Sequence, residues 1–429
     1  MAGSLLIAVV ALLLYVAIPS SAPGAAEKQI SKVYFADHIS PAHRLVITTF
    51  NKLYEGRIEV VPVDLPFDKF STNERKELLA RSLRSKSDRL DVFAVDQIWV
   101  PRFAKWSEPL DQYVPRERQE SILHVALESC LYENNLVALP LYIDVGMLYY
   151  RRDLLQTLPD AKQIEARLKQ SISWDELFQL RARLGRVGKP FYVFQAKDYE
   201  GLVCNYLELI AQLDRSAISS TTFNLDRPAA RIALQRLVDL VHKDRLSPID
   251  VTEFDENTSY QYMLDNDAMF VRGWPNFIEN FRKTYHDTSK LEKIGRGALP
   301  HFVGHPPASV FGGWNIMISR YSNKKSEALE FVRFLQKKET QQMLFEAGGF
   351  IPTNSLVYDD SVYLARHSDL AYYRQLLTNG FHRPFHVEYT RISDIISFFV
   401  QAAIKRTITA DDALRRATEM IRSGKVLIK

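Results

Sequence analysis

Asp91-Val-Phe-Ala-Val-Asp96-Gln-Ile-Trp99-Val-Pro-Arg-Phe-Ala-Lys-Trp106-Ser-Glu-Pro-Leu-Asp111 identifies the fold class and nominates a site. Residues 92–95 are uniformly apolar, which predicts a short buried strand, and Asp96 stands where that strand should stop. In an open α/β sheet, ligands bind beyond the carboxyl ends of strands, so Asp96 is placed to face a crevice with Trp99 one turn further on. A carboxylate accepts hydroxyl hydrogen bonds, and an indole offers an apolar face with one donor at its rim. Together they suit a polyol, which has hydroxyls round its edge and C–H groups on its faces. The plainer alternative is that Asp96 is a helix N-cap and Trp99 is core.

Upstream, residues 32–36 predict a strand. Ser40-Pro41 then signals a helix start, with Leu45, Val46, Thr49, Phe50 and Leu53 at helical spacing and Gly56 closing the helix. Residues 58–63 are the next strand, which makes a strand-helix-strand unit with parallel strands. A helix at about 74–85 leads into the Asp91 strand; the charged run 74–89 mixes signs and leucines and reads as a solvated helix face. The pattern is α/β from the outset.

Downstream, a helix over 116–129 and a strand over 136–141 precede Tyr149-Tyr-Arg-Arg-Asp153, a strand running into a helix. Ser173-Trp-Asp-Glu176 is a capping box, as is the Thr409-Ala-Asp-Asp412 pattern near the end. Long amphipathic helices are expected over 199–212 and 228–243, and a buried strand at 268–271 stops at Arg272-Gly273-Trp274-Pro275. Residues 309–319 predict a strand interrupted at Gly312-Gly313, where missing side chains let a ligand or another backbone come close. Gly348-Gly349 terminates a helix over 340–347.

With 429 residues the chain is too long for one ordinary core, and two lobes are the economical arrangement. Its net charge of +4 and its lack of an isolated basic block nominate no nucleic-acid partner. The two cysteines, Cys130 and Cys204, have no metal-ligand spacing; a disulfide and two buried thiols are both open. Residues 1–26 carry no charged side chain, and their apolar run over 5–18 has the length of a signal-peptide core rather than the roughly 20 residues of a membrane span. Export with cleavage after Ala26 is expected. The absence of a basic residue before the run leaves a retained anchor as the alternative.

The Asp91 stretch resembles the corresponding segment of extracellular solute-binding proteins of bacterial ABC importers, the maltose and trehalose type in particular. The resemblance continues in the family's order through Leu139-Pro-Leu-Tyr142-Ile-Asp144-Val-Gly-Met-Leu-Tyr-Tyr-Arg151-Arg-Asp153, Ser173-Trp-Asp-Glu-Leu177 and Tyr199-Glu200-Gly-Leu202. It runs on through Arg272-Gly-Trp274-Pro275, Gly312-Gly-Trp314-Asn315 and Gly348-Gly-Phe-Ile-Pro352-Thr353. It implies a two-lobed type II periplasmic-binding-protein fold whose cleft closes on ligand by a hinge. The implied division is a signal peptide or anchor over 1–26, a first lobe of 27–142 plus 307–355, and a second of 143–306 plus 356–429. Carried over from the family pattern, the ligand residues are Asp96, Tyr142, Asp144, Trp274, Trp314 and Arg383, with Glu200 as a weaker match; Trp99 joins Asp96 on one wall of the cleft. Gly273 stands where the family often has asparagine, which puts a local hydrogen bond in question. The implied function is an exported protein that captures a disaccharide or short oligosaccharide and delivers it to the permease subunits of an ABC transporter. It is expected to be monomeric, with no cofactor, no metal and no nucleic-acid partner, at the periplasmic or extracellular face of the cytoplasmic membrane.

Two rival classes use similar parts. A sensory module would report the same ligand to a membrane receptor. A glycoside hydrolase needs aromatic platforms and a carboxylate pair, which Asp96, Asp144 and Glu200 supply in principle. Markers of serine hydrolases, zinc proteases and P-loop ATPases are missing from the chain. His301/His305 and His382/His386 have the spacing of a helical metal pair, but Gly304, Pro306, Pro307 and Pro384 break a helix at both places.

Overall fold

The computed structural model describes residues 30–66, 69, 72–218, 224–282 and 284–427. The expected signal segment over 1–26 lies outside the described residues. Among the described residues, no helix is long and apolar enough to cross a membrane.

Two sheets organise the chain. The first contains the strands Ser31–Asp37, Ile58–Asp64, Val92–Asp96, Leu139–Val145, Ser309–Ile318 and Gly380–Phe381. Ser31–Asp37 lies between Ile58–Asp64 and Val92–Asp96 and is parallel to both, as a strand-helix-strand unit requires. Ser309–Ile318 runs antiparallel to both Val92–Asp96 and Leu139–Val145. Helices cover such a sheet on its faces, so Val92, Phe93, Ala94 and Val95 are all fully buried.

The second sheet has the order Ile294–Gly297, Met147–Arg151, Phe270–Gly273, Tyr192–Val193. A single residue, Gly146, separates its strand Met147–Arg151 from Leu139–Val145 in the first. The chain therefore passes between sheets with almost no slack. The helix Glu200–Leu213 is apolar and buried nearly all round, packed against the helices Pro228–His242 and Tyr389–Ile404.

The caps follow their residues. Ser40 and His43 cap each other at the start of Pro41–Leu53, and the Ser173–Glu176 box closes at both ends, with Ser173 N–H donating to Glu176 Oε2 over 2.7 Å. Only the forward half of the Thr409 pattern is a backbone cap, Asp412 N–H donating to Thr409 Oγ1 over 3.1 Å. Gly349 ends its helix in the left-handed region at φ 70°.

Five expectations are corrected. The helix Glu200–Leu213, expected to be amphipathic, is buried nearly all round. The predicted helix over 116–129 is two short ones, Arg116–Gln119 and His124–Glu128, because the chain between them pairs elsewhere: Leu123 N–H donates to Thr353 O at 2.8 Å. The strand Ser309–Ile318 is unbroken; Gly313 takes φ +124° within it, and the pairing shifts register between Trp314 and Asn315. Leu45 and Leu53 face solvent, and the buried face of their helix is Ala42, His43, Val46, Ile47 and Phe50. The charged run is not wholly solvated either, since Arg75 and Lys76 are buried. Cys130 and Cys204 are both buried free thiols. Neither histidine pair is helical: His301 bonds Ser171 Oγ at 2.7 Å, and His382 lies 3.2 Å from Glu128.

Candidate ligand site between the two sheets

Strand register builds the first half of the site. Trp314 is the direct partner of Asp96 on one side and of Tyr142 on the other, and Gly312 is the partner of Asp144. Partners directly opposite share a sheet face, as do residues two apart on one strand. Asp96, Trp314, Tyr142, Asp144 and Gly312 therefore stand on one face.

Arg383 ties this face to the helix Glu200–Leu213. Its Nη2 donates to Asp96 Oδ1 at 2.9 Å and its Nη1 to Glu200 Oε1 at 2.8 Å. Burial works against its charge, yet the Asp96 and Glu200 carboxylates hold its pKa well above the ordinary arginine value. Glu200 also accepts from the Tyr389 hydroxyl at 2.7 Å and from Ser393 Oγ. Burial raises the pKa of Glu200, and Arg383, Ser393 and Tyr389 oppose the rise. Asp96 has a second duty: its Oδ1 accepts the Ile98 N–H at 3.1 Å and caps the short 3-10 turn Gln97–Trp99. The cap and the site contact are thus made by the same carboxylate.

The second sheet contributes Trp274, just past the strand Phe270–Gly273. A side chain at Gly312 would meet it, a Cβ there falling 2.9 Å from Trp274 Cζ3 and 3.2 Å from Asp144 Cβ. Glycine at 312 is what lets the indole and the Asp144 carboxylate share one spot. The Trp274 N–H groups are both engaged, the backbone one by the Tyr260 hydroxyl at 2.8 Å and Nε1 by Glu256 Oε1 at 3.3 Å. Tyr260 thus serves the backbone beside Gly273, and its ring leaves that position no room for a Cβ. What Trp274 offers a ligand is its apolar face.

Asp144 is a strongly perturbed carboxylate. Burial, reinforced by the nearby Asp96 charge and offset by Arg272, pushes its pKa up to about 7. Its Oδ1 is buried and has no hydrogen-bond partner among the described residues. A buried acceptor in that state is an unusual cost unless something donates to it.

The remaining aromatics form a backing. Trp99 meets Trp314 edge-on at 5.8 Å between ring centroids and is buried behind it, while Tyr142 packs on Phe350 at 4.5 Å. The Arg75 guanidinium lies 4.3 Å from the centre of the Trp314 ring and donates to Asp37 Oδ1 at 2.9 Å. Sequence reasoning missed Asp37, Arg75, Glu256 and Tyr260. One signal was present: Asp37 ends its strand as Asp96 ends its own. Arg75 was hidden in a run of solvated charges, and Glu256 and Tyr260 gave only an i, i+4 spacing.

Residues 34–342 match the family model described as bacterial extracellular solute-binding protein. A probable ABC transporter-binding protein of Deinococcus radiodurans is 27% identical over 355 residues, covering 80% of this chain and 82% of that protein. Among solved structures, maltose-bound T. maritima MalE3 superposes with a TM-score of 0.81 at 26% identity, over 92% of this chain and 100% of that one. The GacH receptor of Streptomyces glaucescens shares the fold, with a TM-score of 0.77 at 20% identity over 92% of this chain and 98% of its own. These neighbours are two-lobed binding proteins, the architecture that the two sheets form here.

Proposed function

The chain belongs to the bacterial extracellular solute-binding protein family, and from that membership we propose that it captures a disaccharide or short oligosaccharide and delivers it to the membrane subunits of an ABC importer. The observation that carries this reading is Asp144: a buried carboxylate oxygen with no hydrogen-bond partner among the described residues, beside the Trp274 ring across Gly312. A sugar hydroxyl supplies the donor, and the sugar's C–H face covers the indole. In this assignment Asp96, Tyr142, Asp144, Trp274, Trp314 and Arg383 meet the sugar. Trp99 and Glu200 hold Trp314 and Arg383 in place. The likeness to a maltose-bound structure at 26% identity supports the choice of sugar class.

Our lobe division is 27–142 plus 307–355 for the first and 143–306 plus 356–429 for the second. The 142/143 boundary falls within the strand Leu139–Val145, shortly before Gly146, and the second-lobe strand Gly380–Phe381 pairs with the first-lobe strand Ser309–Ile318. Binding in this reading involves no bond cleavage; closure excludes water and strengthens the polar contacts. The protein works as a monomer on the outer side of the cytoplasmic membrane, exported through residues 1–26 or anchored by them.

A thermal-shift screen of the chain from Glu27 against mono-, di- and oligosaccharides and polyols tests the reading, with product analysis of each hit. A ligand at 100 times its Kd adds about 2.7 kcal/mol to stability. A hit recovered unaltered supports capture. A hit converted to product overturns it in favour of catalysis, and silence across the panel moves the ligand outside the sugars.

A further inference from the structure

Arg272 and Glu208 form a completely internal ion pair. Arg272 has no exposed surface, Glu208 is 3% exposed, and the guanidinium fork reaches both carboxylate oxygens, Nη2 to Oε1 at 2.7 Å and Nε to Oε2 at 3.3 Å. Such a pair is no more stabilising than well-packed apolar side chains of the same volume, so its contribution has to be sought in position rather than in stability.

Each partner has a second contact. Glu208 Oε1 also accepts the Val310 N–H at 3.3 Å, and the Val310 carbonyl accepts the Gly146 N–H at 3.0 Å. Gly146 is the lone residue between the strands of the two sheets, and a Cβ there would fall 2.0 Å from Glu208 Oε1 and 2.8 Å from Arg272 Nη2. One carboxylate therefore bonds the strand Ser309–Ile318 and lies against Gly146 at the passage between sheets. On the other side, the guanidinium of Arg272 lies over the Trp274 indole, with Cζ 3.9 Å from the ring centre.

We propose that Arg272 is a positioning residue that joins the ligand-facing Trp274, through Glu208, to the strands Leu139–Val145 and Ser309–Ile318 where the chain passes between the sheets. The proposal rests on the sugar-capture reading for what Trp274 meets, but not for the mechanical link. Pressure of a ligand on the indole is transmitted to Arg272, and from there to the carboxylate that sets the passage geometry. Closure and stacking are then one event.

The experiment combines maltose titration calorimetry with the distance between spin labels at Lys52→Cys and Lys162→Cys, exposed positions beside the first and second sheets. Arg272→Leu with Glu208→Leu removes both charges together and so keeps the fold. This double variant is expected to weaken maltose binding by roughly ten-fold or more and to broaden the label distance with and without maltose. Arg272→Lys keeps charge but not the two-pronged fork, and recovers part of the loss. Adding Trp274→Ala to the double variant costs no further affinity. A label distance identical to wild type overturns the proposal, as does a Trp274→Ala effect that simply adds. Should wild type itself give no maltose heat, the sugar-free label distance decides alone: broadening supports the link and identity with wild type ends it.

Discussion

Arg383 and Asp96, 287 residues apart in the chain, meet with Nη2 2.9 Å from Oδ1. The contact links the C-terminal segment to the end of the strand Val92–Asp96, and Glu200 completes it from a third part of the chain. A candidate ligand carboxylate is thus already held in place, with little freedom left to lose on binding.

Arg383→Met should therefore destabilise the fold by about 3–5 kcal/mol, because it leaves two carboxylates buried without their cation. Arg383→Lys restores the charge but reaches one partner less well. Urea unfolding measures both, and a methionine variant as stable as wild type would show the pair to be ornamental.

Trp274→Ala and Trp314→Ala separate binding from folding. Trp274 is partly exposed, and its loss should weaken sugar binding by about 1 kcal/mol or more while the protein stays folded. Trp314 is buried between Trp99 and Arg75, so its loss should cost about 3–5 kcal/mol of stability. Calorimetry on a folded Trp274→Ala protein that binds as tightly as wild type would remove Trp274 from the site.

Gly312→Ala should act on the ligand through its neighbours. The new methyl falls 2.9 Å from Trp274 Cζ3 and 3.2 Å from Asp144 Cβ, so the indole must move. The expected stability cost is about 1–3 kcal/mol, with sugar affinity lowered because the indole is displaced. Unaltered tryptophan fluorescence and affinity would contradict the close approach.

Asp144 makes both stability and binding depend on pH. The folded protein keeps its proton up to about 7, whereas the unfolded carboxyl loses its own near its ordinary value of 3.8. The native state therefore binds more protons between these values. Asp144 favours folding fully below the lower one, and that contribution disappears as pH rises through the upper. The slope is at most about 1.4 kcal/mol per pH unit, and Asp144→Asn should abolish it in unfolding experiments across this window. A sugar hydroxyl that donates to the ionised carboxylate reverses the balance. Affinity should rise with pH up to about 7 and proton release should accompany binding, as calorimetry in buffers of different ionisation enthalpy would detect. Affinity independent of pH in wild type would exclude Asp144 from that role.

Cys130 and Cys204 are buried thiols whose pKa values burial pushes far up, so the native protein should resist thiol reagents. Both should react once the chain is denatured. A protein that yields no thiol in denaturant would carry a disulfide instead.

Much of the fold was legible because its signals are local. Apolar runs at 92–95, the Ser40-Pro41 start and the Ser173–Glu176 box each act over a few residues, and each element formed where expected. The failures share one cause. The helix expected over 116–129 broke because Leu123 bonds Thr353, and Arg75 went inside because Asp37 and Trp314 wait for it. Neither partner is near in sequence.

Residue order by itself determined the α/β class, the strand-end carboxylate at Asp96 and the aromatic and acidic types a sugar calls for, since periodicity and side-chain chemistry are properties of short stretches. Only tertiary structure decided that Asp96 is shared between a cap and Arg383, that Asp144 has an oxygen unanswered among the described residues beside Trp274, and that Arg272 pairs with Glu208. Each of those depends on which side chains two separate sheets bring within a few ångströms, and on how completely they exclude water. Distance through space, not along the chain, governs both.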